Sequence, residues 1–167
     1  ALSSVANPAA SHASSPAPRA ALALSHVANP LASLAATTPK LMLAFTSMIG
    51  NSGPYIGAAG TIRNIPAGGA PWQVTTAVGE LFTNGRLIIY VKDLIIPGVG
   101  NPVSTFDGAV SCQSIGPGNT ATVANVFTKA FPASPSGQSL ISDTVTLPSP
   151  CFAPIVFVTS GGTTGQS

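Results

Sequence analysis

Charge is nearly missing from this chain. Ten of its 167 side chains carry a formal charge, 6%, against about a quarter in an ordinary soluble domain. They are Arg19, Lys40, Arg63, Arg86, Lys92 and Lys129 against Glu80, Asp93, Asp107 and Asp143, for a net +2. A free monomer usually stays in solution behind mixed surface charge. Here Thr, Ser, Asn, Gly and apolar groups must serve instead. Such a surface suits a protein packed against copies of itself or exposed to a dry or harsh exterior. A secreted domain of unusual composition is the plainer reading. The six cations are scattered, whereas phosphate recognition needs them clustered, so no nucleic-acid partner is expected. No apolar run approaches the roughly 20 residues of a membrane span; residues 41–49 are strand length and broken by Thr46-Ser47. The chain does not open on a basic stretch followed by an apolar one. Any secretory leader is therefore expected to have been removed already, with Ala1 fitting a mature terminus.

Histidine is as scarce. His12 and His26 both precede residue 41, so the rest of the chain has no imidazole to take a nucleophile's proton, which a Ser–His–Asp hydrolase requires. Glycoside hydrolysis needs two carboxylates across one bond. Asp93 and Asp107, flanking the loop at residues 97–102, are the best pair on offer. They read better as solvated strand-edge residues or partners of Lys92 and Arg86. Gly116-Pro117-Gly118-Asn119 has neither the lysine nor the helix of a phosphate loop and reads as a turn, as does Gly68-Gly69. No enzyme activity, cofactor or metal is expected. The single Trp72, beside a Gly/Pro loop, is a candidate for stacking on a sugar, though a lone Trp at a strand start more often anchors a core. Cys112 and Cys151 are the only cysteines, without neighbours at metal spacing. An even count in an exterior-looking chain favours a disulfide closing about 40 residues, worth on the order of 3–4 kcal/mol. Two buried free thiols are the alternative.

What the chain has in abundance is Ala, Ser and Pro, in residues 1–40, and an internal repeat there. Leu2-Ser3-Ser4-Val5-Ala6-Asn7-Pro8-Ala9-Ala10-Ser11 returns as Leu24-Ser25-His26-Val27-Ala28-Asn29-Pro30-Leu31-Ala32-Ser33, eight of ten positions agreeing at a spacing of 22. So few large side chains cannot offset an ordering entropy of about 1–2 kcal/mol per residue, and prolines interrupt any long helix. Ordering such an arm takes another surface, and a second copy of the chain is the simplest. Val5, Leu22, Leu24, Val27, Leu31 and Leu34 are the candidate interface anchors, with Pro8 and Pro30 setting the exit angle. The two copies of the repeat would dock on equivalent grooves of successive subunits, or on two related grooves of one.

From residue 41 the pattern turns to period-two and continuous apolar runs bounded by Gly, Pro and Asn, which is all-β. Strands are expected at residues 41–48, 55–64, 72–82, 87–96, 103–115, 120–131, 138–147 and 151–159. Asn84-Gly85 between two of them predicts a type I′ hairpin. Trp72, Val74, Val78 and Phe82 are expected on one face. Residues 87–96, apolar on both faces, predict a central strand, and Pro154 places the start of the last strand at an edge or bulge. About eight strands in residues 41–167 give an Ig-like or jelly-roll-type β-sandwich with an extended N-terminal arm.

Several segments together carry a resemblance. They are Asn64-Ile65-Pro66-Ala67-Gly68-Gly69-Ala70-Pro71-Trp72, Gly79-Glu80-Leu81, Ala109-Val110-Ser111-Cys112, and the run from Leu147-Pro148-Ser149-Pro150-Cys151 through Phe157-Val158-Thr159-Ser160. Through them residues 53–162 resemble a family of secreted bacterial proteins to which no activity is attached. The resemblance implies a secreted β-domain with paired cysteines, and it does not reach the arm. The expected function is a structural subunit that self-assembles through the arm into an extracellular filament, sheath or coat. The alternative is a secreted or cell-surface binding module, with a surface glycan as partner and the arm as a stalk.

Overall fold

The body is all-β because its apolar residues recur at every second position between turn residues, and two such faces bury each other. The computed structural model describes residues 38–161, within a unit spanning Thr37–Ser167. The arm and its candidate interface residues, from Val5 to Leu34, lie outside the described residues. Eight antiparallel strands form two sheets: β1 (Leu41–Phe45), β2 (Thr76–Phe82), β3 (Arg86–Lys92), β4 (Thr105–Ile115), β5 (Ala121–Phe127), β6 (Phe131–Pro132), β7 (Ser139–Thr144) and β8 (Phe152–Thr159). Sheet one runs β1-β2-β3-β7; in sheet two β4 is flanked by β5 and β6 and by β8.

β3, apolar on both faces, sits between β2 and β7 as its composition requires. Its inward residues Leu87, Ile89 and Val91 are fully buried, with Leu81 of β2 and Ile141 of β7. Phe106, Val110 and Cys112 of β4 meet them from sheet two. The outward face of sheet one carries Val78, Tyr90 and Leu140 in one cross-strand row.

Three local expectations are corrected. Residues 55–64 are not a strand: two 3-10 turns (Gly53–Tyr55 and Gly57–Gly60) precede a miniature hairpin in which Ile62 and Ile65 exchange both backbone hydrogen bonds, at 3.0 and 2.9 Å. The type I′ geometry falls there, with Arg63 and Asn64 at φ 49° and 65°. At Asn84-Gly85 only Gly85 is left-handed (φ 85°). Gly85 N–H bonds Phe82 O at 2.9 Å, the pattern of a three-residue loop ending in a left-handed glycine. Third, Val78 does not share a face with Trp72 and Val74. The ladder breaks at Thr75 and Asp93 (φ 54°), and the alternation inverts there. Ala77 and Leu81 point inward instead.

Gly85 is fixed for a second reason: a Cβ there would fall 1.8 Å from Val145 O. Gly85→Val is expected to lower unfolding free energy by roughly 2–4 kcal/mol, through steric clash and positive φ together. Denaturant titration checks this; a loss below 1 kcal/mol would show that the loop can rearrange.

Candidate functional site

The described body has no polar cleft in which catalytic groups converge, and its acids are dispersed. Asp93 accepts a hydrogen bond from Thr75 Oγ1 at the end of β3, in sheet one. Asp107, expected at a solvated edge, is fully buried in β4, where it accepts from Thr159 Oγ1. The outer side of sheet two is covered at that level, which keeps Ala109 and Ser111 buried as well. Asp143 takes the backbone N–H groups of Lys129 and Thr144 at 3.0 and 2.9 Å, and these hold its carboxyl below the usual carboxylate value. Among the described residues no three His, Cys, Asp or Glu come together.

The notable feature is a missing column in the sandwich. Sheet one is four strands wide. Sheet two has four strands but three positions across, because the β4–β6 pairs (Thr105↔Pro132, Phe106↔Phe131) continue the β4–β5 ladder along the same side of β4. A one-residue shift in register separates β6 from β5. Gly108 fixes how the sheets stack. A Cβ there would stand 2.9 Å from Leu87 Cδ2, 3.2 Å from Ile89 Cδ1 and 3.4 Å from Ile141 Cγ2, so β4 lies over β3 and β7. Ser139 Oγ donates to Pro132 O at 2.9 Å and Lys129 N–H reaches Asp143, which places β5 and β6 on the β7 side. β8 is therefore on the β2 side, and β1 has no strand of sheet two opposite it.

That vacant position is a groove of about 1030 Å³. Leu43 and Phe45 of β1, Trp72, Phe106 and the whole stretch from Pro154 to Gly161 line it, with Ile62, Ile65 and Phe127 on the outward side of β8. Among the described residues β8 pairs only with β4. Val156 and Val158, opposite Val110 and Gly108, point inward; Ile155 and Phe157, opposite Ser111 and Ala109, point outward. Not one residue of β8 is buried. β3, of like composition but interior, buries every second side chain.

β8 is held firmly at its beginning. The Cys112–Cys151 disulfide joins β4 to the residue before it, with Cα atoms 5.0 Å apart across 39 positions. Both cysteines are thereby paired, and the free-thiol alternative falls. The β4–β8 register shifts between Ser111 and Gln113, the irregularity that Pro154 called for. Arg63 Nη1 donates to Ser111 O (3.1 Å) and Ala153 O (2.7 Å) at that irregularity. Asn125 Nδ2 holds Arg63 in turn through its carbonyl, at 2.8 Å. Arg63 thus ties the miniature hairpin to the start of β8, a role that no local pattern around it announces. No family model, curated protein or solved structure matches the chain.

Of the residues marked in the sequence, the structure pairs Cys112 with Cys151 and sets Trp72 in the groove wall. The Trp72 ring stands edge-on to Phe106, with centroids 6.1 Å apart and planes at 76°. Phe45, Ile155 and Phe157 were not marked. The signal for Ile155 and Phe157 was a last strand apolar at successive positions, without a single charge, whose start Pro154 places at an edge or bulge.

Proposed function

We propose that the chain is a structural subunit that polymerises outside the cell into a filament, sheath or coat, the arm of one copy docking on the body of the next. One observation carries this reading: β8 is an edge strand, apolar on both faces, uncharged and no more than half-buried at any residue. Proteins normally protect such edges with charge, extra proline or a covering element, because an open edge recruits other strands. Pro154 guards only the start of β8, leaving residues 155–159 to pair. Two-faced apolar character is stable only if a partner is supplied, and a repeated arm rich in small apolar residues is a partner built into the same chain. A head-to-tail contact of this kind propagates without closing. The disulfide supports an oxidising compartment.

Charging the arm tests the reading. Val5→Asp with Val27→Asp is expected to weaken assembly roughly a hundredfold, about 3 kcal/mol for two valines lost from apolar contact. Arg19→Ala should change it less than about threefold. Light scattering against concentration measures both, and equal effects would count against apolar docking. The second reading, a glycan-binding module on a stalk, draws on Trp72 in the groove wall. It requires dispersed particles and an affinity lost in Trp72→Ala.

A further inference from the structure

Resting on the subunit reading, we propose that the groove between β1 and β8 is a strand-acceptor site, and that its occupant is residues 19–29 of a neighbouring copy, which carry the start of the second repeat and none of the first. The site asks three things of an occupant. It must lend backbone hydrogen bonds to the outward edge of β8, where alternate residues direct N–H and C=O away from β4. It must fill apolar space on both sides of β8. It must also run unbroken along a strand of eight residues, ~27 Å.

Proline decides the choice of segment, because each one removes a donor from a ladder. Pro8, Pro16, Pro18, Pro30 and Pro39 divide the arm, and residues 19–29 are its longest stretch without one, eleven residues. The first repeat offers seven before Pro8, with Leu2 and Val5 as its only large apolar residues. The stretch 19–29 offers Leu22, Leu24 and Val27, the last two from the second repeat. In an extended strand Leu22 and Leu24 fall on one face, suited to the half-buried side chains of Leu43 and Phe45. Val27 falls on the other, beside Ile155 and Phe157. Between them lie Ala23 and Ser25, small enough to let the backbone approach, and His26, which falls on the Leu22 face after Leu24. Added at β8, this strand becomes the fourth column of sheet two and covers β1.

A neighbour rather than the same chain supplies it. The chain enters β1 at the Phe82 end of sheet one, where Lys40 and Thr83 exchange hydrogen bonds: Thr83 N–H to Lys40 O at 2.8 Å, Lys40 N–H to Thr83 Oγ1 at 3.0 Å. The groove is lined instead from Leu43 onward, towards Phe45 and Met48. An arm filling its own groove must double back along the sheet through Pro30 and Pro39. An arm directed outward need not.

Cysteine trapping in the full-length chain tests this. Val27→Cys in one preparation is mixed with Val156→Cys or Phe157→Cys in another, so that either face of the incoming strand is sampled. After mild oxidation, linked pairs are counted on a non-reducing gel. Val27→Cys should give at least tenfold more linked dimer than Val5→Cys, and Val27→Asp alone should weaken assembly at least tenfold, a loss that Val5→Asp does not match. Polymers with equal trapping at both positions, or with none, would overturn the segment assignment and leave the subunit reading standing. Linkage confined to single chains carrying both Val27→Cys and Phe157→Cys would show self-insertion and overturn the neighbour. A wild-type chain that does not polymerise, together with cysteine variants that do not link, would overturn both readings.

Discussion

Removing residues 1–36 is expected to convert a polymer into a folded, dispersed body. The core of that body, from Leu81 and Ile89 across to Phe106 and Val110, is built wholly from described strands of residues 38–161. Its disulfide closes within the same span, so the thermal midpoint should move by no more than a few degrees. Assembly should fall below detection at concentrations where the full chain forms particles visible by negative-stain electron microscopy. Filaments or sheets from the shortened chain would show that body-to-body contacts suffice, through the uncharged edges or the apolar row on sheet one. Dispersed particles from both chains would turn attention to glycan binding, with Trp72→Ala as the control. An unfolded shortened chain would show that β1 and β8 need their partner strand to fold at all.

Breaking the covalent tie should have the second largest effect. Replacing Cys112 and Cys151 by Ala reopens a loop of 39 residues, and the chain-entropy relation gives a loss of about 4 kcal/mol. Against the 5–15 kcal/mol of a typical domain that is a large fraction, and denaturant midpoints measure it directly. Because the bridge sits where β8 begins, β8 amides should lose hydrogen-exchange protection before those of β3. A loss under 1 kcal/mol, with β8 still protected, would show that the β4–β8 ladder and the Arg63 bonds to Ser111 and Ala153 hold the edge unaided.

The parts of this fold that were legible from sequence are those set by two-residue periodicity. β3 was recognisable as interior from its apolar character on both faces. Pro154 announced an edge because a missing N–H has the same consequence in any sheet. What misled were positions where local and long-range hydrogen bonding compete. Asn84-Gly85 has the composition of a two-residue turn, yet the contact between Gly85 and Val145 accompanies a three-residue loop. Arg63-Asn64, with no glycine, adopts the left-handed pair because Asn tolerates that region and the Arg63 side chain is held on two strand carbonyls. Through Asp93 the strand pattern reads as continuous; one left-handed residue reverses which side chains face inward. The groove was out of reach altogether. It arises from a difference in width between two sheets, and strand order is long-range information that no window of sequence contains.

The placement of the disulfide has a mechanical consequence. The sulfur bridge joins β4 to the start of β8, and those two strands run antiparallel with five paired positions between Asp107↔Thr159 and Ser111↔Ile155. Tension entering the body along β8 loads that ladder in shear, so its hydrogen bonds bear force together instead of opening one at a time. If the ladder yields, the stretch from Cys112 to Cys151 still cannot lengthen, since its ends are covalently joined. Force applied through this edge would extend the chain outside the bridge and keep β5, β6 and β7 sheltered behind it.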